Sequence, residues 1–193
     1  METRFVNIHT HRPQPDELTV TSAGVHPWEA ERAEMPSAEA FAGVQAVGEI
    51  GLDWARPVDR ARQTELLHAQ LRLAEQLGKP VVLHCVRAFE PLMQALAGYR
   101  LRAVIFHGFV GSPEQAARAL KQGYYLSFGE RSLRSPRTAE VLRTMPAERL
   151  FLETDESETP IGAIYRQAAV LRGTTPEELG KTITENYKRI FEP

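Results

Sequence analysis

The stretch Pro80–Cys85, "PVVLHC", decides the fold. Its apolar residues run on without the alternation that a half-exposed sheet face imposes. A strand of this kind is covered on both faces, as parallel strands between helices are. The flanks agree. Upstream, residues 59–77 set Leu66, Leu67, Leu71, Leu73, Ala74 and Leu77 along one helical stripe, which Gly78 ends. Downstream, 87–97 reads as a second helix. The same grammar recurs along the chain. "RAVIFH" (Arg102–His107) is another unbroken apolar run, and strands are expected near 4–9, 19–25, 45–50, 80–85, 103–107, 123–128 and 149–153. Ser112-Pro113, Ser135-Pro136 and Thr175-Pro176 each pair a capping hydroxyl with a proline suited to the first helical turn. A further helix is expected over 158–172. Strands alternating with helices predict an α/β fold on a parallel sheet.

Composition bounds the rest. The 193 residues are 42% hydrophobic, enough for one core, and no shift in composition divides them; a single domain over 1–193 is expected. Net charge is −2, without the basic bias of a strongly electrostatic nucleic-acid or membrane binder. Arg56, Arg60, Arg62, Arg131, Arg134 and Arg137 are the residues from which a local basic face could be built. The single cysteine, Cys85, excludes an internal disulfide and fits a reducing compartment. "METRFVNIHT" has no signal-peptide pattern, and no run approaches the roughly 20 apolar residues of a membrane span. A cytoplasmic protein with no membrane or protein partner is expected.

The polar residues that interrupt these patterns collect at strand ends. The first strand ends in His9-Thr10-His11, the second runs into "GVHPW" with His26, and the third gives "VGEIGLD" with Glu49 and Asp53. "VVLHC" supplies His84, "VIFHG" supplies His107 and "LFLETD" supplies Glu153 and Asp155. Five of the six histidines therefore lie at or just past carboxyl ends of strands, and only His68 is mid-helix. That edge is where α/β folds bind ligands. Imidazole with carboxylate is the donor set of zinc, and with more carboxylate and water it suits manganese or magnesium. Residues i and i+2 of a strand share a face, so His9 and His11 can chelate one ion.

In their order, "NIHTH", "AGVHPW", "VGEIGLD", "VVLHC", "IFHGFVGS", "YYLSFG", "LFLETD" and "TENYKRIF" resemble the TatD-like metal-dependent hydrolases of the amidohydrolase superfamily over nearly the whole chain. The resemblance implies a TIM-type β/α barrel, a two-metal centre and deoxyribonuclease-like activity. It assigns His9, His11 and Asp155 to one divalent ion, His84 and His107 to a second, and Glu49 to both. Asp155 would also orient the attacking water and accept its proton, with Glu49 the other catalytic carboxylate. His26 and Arg87 would contact substrate. Asp53 is expected to anchor its loop, Glu153 to stand behind the ligands, Cys85 to be buried and inert, Trp28 and Trp54 to wall a pocket or fill the core, and Asn186 to make a structural hydrogen bond.

Three features depart from the family pattern. Only Arg12–Val25 separates His11 from His26, too little for a crossover helix if a strand starts near Thr19. A reduced or irregular barrel of about seven strands is therefore expected. Val86 stands where relatives carry an arginine, with Arg87 one step on. The segment after Asp155, "ESETPIGAIY", is short. The expected substrate is DNA or another phosphodiester; a small phosphoester, amide or lactone, or a metal-binding barrel without catalysis, are the alternatives.

Overall fold

The computed structural model describes residues 4–192. In chain order the strands are β1 (Phe5–Asn7), β2 (Glu17–Thr19), β3 (Ser22–Ala23), β4 (Ala46–Asp53), β5 (Val81–Val86), β6 (Val104–Phe106), β7 (Tyr125–Phe128) and β8 (Leu150–Leu152). The helices are α1 (Arg60–Leu77), α2 (Phe89–Leu96), α3 (Pro113–Lys121), α4 (Glu130–Leu133), α5 (Pro136–Thr144), α6 (Ile161–Arg172) and α7 (Pro176–Phe191). The fold is α/β, as the alternating pattern predicts, and the strand pairings are parallel. Residues divide into two compact units. A central unit holds 21–106, and a split unit joins 4–20 to 107–192. No linker or change of composition marks the two boundaries.

In the central unit β3, β4, β5 and β6 pair in sequence order. "PVVLHC" is the middle of this sheet: Val81, Val82 and Leu83 are buried, as are Val47, Ile50 and Leu52 of β4. Helix α1 starts at Asp59, whose carboxylate accepts from the Arg62 N–H, and stops at Gly78 in the left-handed conformation. Its buried stripe is Gln63, Leu66, Leu67, Gln70, Leu71 and Ala74. Two glutamines seven residues apart sit on that apolar stripe because each clamps main chain. Gln70 receives the Val25 N–H at 2.6 Å and donates to the Val25 carbonyl at 3.1 Å. Gln63 receives the Asp53 N–H at 2.8 Å and donates to the Asp53 carbonyl at 3.0 Å. Burying an amide is tolerated because its hydrogen bonds are made.

In the split unit β1 pairs with β2, β7 with β8, and the Ile8 N–H reaches the Leu152 carbonyl at 3.1 Å, bringing β1 beside β8. Tyr165 of α6 packs on Phe5 with ring centroids 4.1 Å apart and donates its hydroxyl to the Val6 carbonyl at 2.9 Å. Burial pushes this hydroxyl well above the ordinary tyrosine range. Asn186 of α7 has the structural role expected of it: its amide donates to the carbonyls of Ala147 and Leu150 at 2.9 and 3.0 Å.

The irregular start is also present. The expected strand over 19–25 breaks after Thr19 and resumes at Ser22, so the described residues form eight strands, close to the seven or so expected. The Thr21 carbonyl at the break accepts both the Gln45 and Ala46 N–H groups, bending the chain out of a single ladder. No α-helix follows β1, β2 or β3; short 3₁₀ turns at Pro27–Glu29 and Ala38–Phe41 stand in that region. Polar bonds stitch residues 8–16 instead of a crossover helix. Arg4 donates to the carbonyls of Pro15 and Glu17, and Asn7 donates to the Glu17 carboxylate at 2.9 Å. A groove of about 1050 Å³ lies along this connection, lined in part by Phe5, Arg12, Pro15, Glu158, Ile161 and Arg166. Among the described residues no helix is long and apolar enough to cross a membrane.

Candidate metal centre

Among the described residues, each unit has a group of side chains with the composition of a metal site: His9, His107 and Asp155 in the split unit, and His26, Glu49 and His84 in the central unit. In each, the three donor atoms lie within 4.8 Å of one another.

The split-unit group is framed by main chain. The Asp155 N–H donates to the His9 carbonyl and the His11 N–H to the Asp155 carbonyl, both at 3.0 Å. Asp155 adopts φ of 53°, a left-handed conformation that aspartate tolerates better than most residues. Beneath it, Asn7 donates to the Thr154 hydroxyl at 2.9 Å and receives the Thr154 N–H at 3.0 Å. His9 Nε2 and His11 Nε2 then stand 3.6 and 3.5 Å from Asp155 Oδ1. These separations are longer than good hydrogen bonds. They match two ligands of one tetrahedral ion, which at bonds of about 2.1 Å lie about 3.4 Å apart. His9 and His107 are buried, whereas His11 is half open. Behind them the fully buried Glu153 approaches His107 Nδ1 at 3.3 Å. Burial acts to raise the Glu153 carboxyl, yet His107, His9 and the Ser127 hydroxyl hold it below the ordinary value.

The central-unit group is framed by side chains. His26 precedes the Pro27–Glu29 turn and caps it, its Nδ1 accepting the Trp28 N–H at 3.2 Å, while Nε2 lies 3.2 Å from Glu49 Oε1. His84 Nδ1 is 2.8 Å from the same Glu49 oxygen, and His84 Nε2 is 3.1 Å from Asp53 Oδ2. A neutral imidazole carries one proton, so only one of these contacts is an ordinary hydrogen bond. With the proton facing Asp53, the Nδ1 lone pair meets the Glu49 carboxylate, and a cation there satisfies both. Asp53 also receives the Trp28 indole N–H at 2.7 Å and the Ala55 N–H at 2.9 Å. Against the effect of its burial, these bonds and His84 keep its carboxyl below the ordinary range. Gly51, at φ of 147°, lets β4 approach β5 here; a Cβ on it would overlap the His84 carbonyl oxygen.

The sequence-predicted residues thus fall as follows. His9, His11, His107 and Asp155 come together in the split unit, and Glu49 and His84 in the central unit. His26, expected to contact substrate, sits against Glu49, where it offers a third donor. Arg87 is exposed, at φ of 52° just past β5. Asp53, expected to anchor its loop, does so and also holds His84. Burial pushes the Cys85 thiol up to about 12, leaving it inert. Sequence reasoning missed Gln63, Gln70, Asn7 and the Trp28–Asp53 bond. For the two glutamines the available signal was their seven-residue spacing on an apolar stripe.

Comparisons with known proteins bear on this chemistry. A family model described as TatD related DNase matches residues 4–192. The "3'-5' ssDNA/RNA exonuclease TatD" of Edwardsiella piscicida is 37% identical over 162 residues, covering 77% of this chain and 61% of that protein. The "uncharacterized metal-dependent hydrolase YabD" of Bacillus subtilis is 33% identical over 170 residues, covering 77% of this chain and 65% of that one. The chain therefore spans less than two thirds of the length of these relatives. The crystal structure of YJJV, a TatD homolog from Escherichia coli K12, superposes with a TM-score of 0.88 at 26% identity, covering all of both chains.

Proposed function

Because the chain belongs to the TatD-related DNase family, we propose that it is a metal-dependent hydrolase of single-stranded nucleic acid, with one divalent ion held in each cluster. His9, His11, His107 and Asp155 would hold the ion of the split unit; His26, Glu49 and His84 would hold that of the central unit. The observation that carries this reading is the spacing of the donors, 3.5 and 3.6 Å around Asp155 Oδ1 and 2.8 Å between His84 Nδ1 and Glu49 Oε1. The imidazole-rich sets suit zinc, with manganese next and magnesium least. Such ions polarise a phosphoryl oxygen and lower the pKa of water.

The chain's own groups do the rest. Asp155 is partly open to solvent, with a side-chain exposure of 27%. Its carboxylate can orient a water and take its proton, while main-chain bonds fix its position. Asp53 and Glu153 set the imidazole planes of His84 and His107, so that little reorganisation precedes reaction. Arg87 is the exposed cation just past β5 and is assigned to substrate contact.

The test is metal analysis of protein purified without chelator, paired with hydrolysis of single-stranded DNA. Two equivalents of metal and chelator-sensitive cleavage are expected. His84→Ala should lose one equivalent and the activity; unchanged stoichiometry and turnover in that variant would sink the assignment.

A further inference from the structure

We infer that Arg56, seated on the ring of Trp28, is the phosphate anchor of the substrate, a role that rests on the nucleic-acid reading above. The Arg56 guanidinium lies 4.1 Å from the centroid of the Trp28 ring. Trp28 is 39% exposed, and its ring lies against the histidines of the His26–Glu49–His84 cluster. Its indole N–H is bound to Asp53, and its edge meets His26 at 4.6 Å and His84 at 6.0 Å between ring centroids. Arg56 is thus one aromatic ring away from two proposed ligands.

Stacking occupies the face of a guanidinium and leaves its five coplanar N–H donors at the edge. Those edge donors match a phosphate in bidentate fashion. Charge accounting points the same way. Arg62 is committed to Glu65 at 2.6 Å, and Arg60 lies over Trp54 with a bond to its carbonyl. Arg56 is exposed and makes no ion pair among the described residues. Arg87 is exposed too, but among the described residues no aromatic ring seats it. A cation held in place loses less side-chain entropy on binding than a free one, so Arg56 rather than Arg87 is assigned the phosphate next to the bond being cleaved.

The experiment uses the protein as purified, with its metal, and a fluorescent phosphorothioate oligothymidylate that resists hydrolysis, followed by anisotropy across a salt series. Arg56→Ala should weaken binding about tenfold and reduce the slope of log affinity against log salt by about 0.7, the share of one phosphate contact on a single strand. Arg56→Lys should keep the salt slope and recover part of the affinity, because the charge stays and the fork is lost. Arg87→Ala should cost less than Arg56→Ala. On a cleavable oligonucleotide, Arg56→Ala should raise KM about tenfold and leave kcat within about threefold. Equal affinity and equal slope in wild type and Arg56→Ala would overturn the assignment, as would the larger loss appearing in Arg87→Ala, or no binding by the wild type. Wild type that binds with the expected Arg56 dependence but never cleaves would sink the hydrolase reading and leave the anchor standing.

Discussion

In the split unit, His9, His11 and Asp155 are placed by main-chain bonds between β1 and the segment after β8, and their side chains approach one another only to 3.5 and 3.6 Å. In the central unit the main chain is clamped from α1 by Gln63 and Gln70, and the ligands touch through a chain of side chains, Trp28 to Asp53 to His84 to Glu49, with contacts of 2.7, 3.1 and 2.8 Å. The first arrangement separates frame from donors, so a donor can be changed while the frame stays. The second makes each donor part of the frame, so a single substitution disturbs several groups. This difference also explains Asp155's left-handed φ: its carbonyl and N–H hold the strand end while its side chain is left to chemistry.

The strongest way to break that distinction is Asp155→Asn. Asparagine tolerates the left-handed conformation, and neither main-chain bond needs the carboxylate. Turnover should fall by roughly 10²–10⁴ through loss of the base, with no change in the melting temperature of the metal-free protein, where the frame is read without the stabilisation that bound metal adds. A joint loss of turnover and melting temperature would show that frame and donor are not separable here. Next in size is the paired comparison of Asp53→Asn with Glu153→Gln. Each removes the carboxylate behind one histidine and should weaken one metal equivalent by about 10–100-fold in calorimetric titration. Asp53→Asn should have the larger effect, since it also loosens Trp28. Glu153→Gln should add a stability loss of about 1–3 kcal/mol, because Glu153 is fully buried and a partner is left unsatisfied. If both variants weaken the same equivalent, the two clusters are not independent sites.

How much of this was legible follows from the range over which each feature is encoded. The strands and the donors at their ends are local: an apolar run followed by histidine or carboxylate shows itself in "VVLHC" and "LFLETD". The helix starts at Ser112, Ser135 and Thr175 are equally local, and all three cap as expected. The short connection after His11 was readable because a chain of that length cannot hold a crossover helix. What was not readable depends on distance. Gln63 and Gln70 could not be matched from sequence to their partners Asp53 and Val25, which are 10 and 45 residues away. The turn of His26 toward Glu49 follows from a capping bond to Trp28, a matter of geometry rather than spacing. The break after Thr19 and the two-unit division carry no compositional mark; both are set by which strand each short segment pairs with.

The smallest effect tests the main-chain frame from outside the site. Tyr165 touches no candidate ligand, but its hydroxyl holds the Val6 carbonyl of β1, the strand that leads to His9. Tyr165→Phe should cost about 1 kcal/mol in denaturant unfolding at neutral pH, and metal affinity should fall slightly in the split unit and stay unchanged in the central unit. The pH dependence has a fixed sign. Burial raises the folded-state pKa of this hydroxyl above its ordinary value of 10.0, so the folded protein keeps a proton that the unfolded chain releases. The contribution is complete below about pH 10 and declines as pH rises beyond it, because the unfolded state then binds fewer protons. The stability gap between wild type and Tyr165→Phe should therefore be constant from pH 7 to 9 and narrow above pH 10. A gap that widens with pH, or an equal loss of metal affinity in both units, would mean that β1 is not held the way the split-unit frame requires.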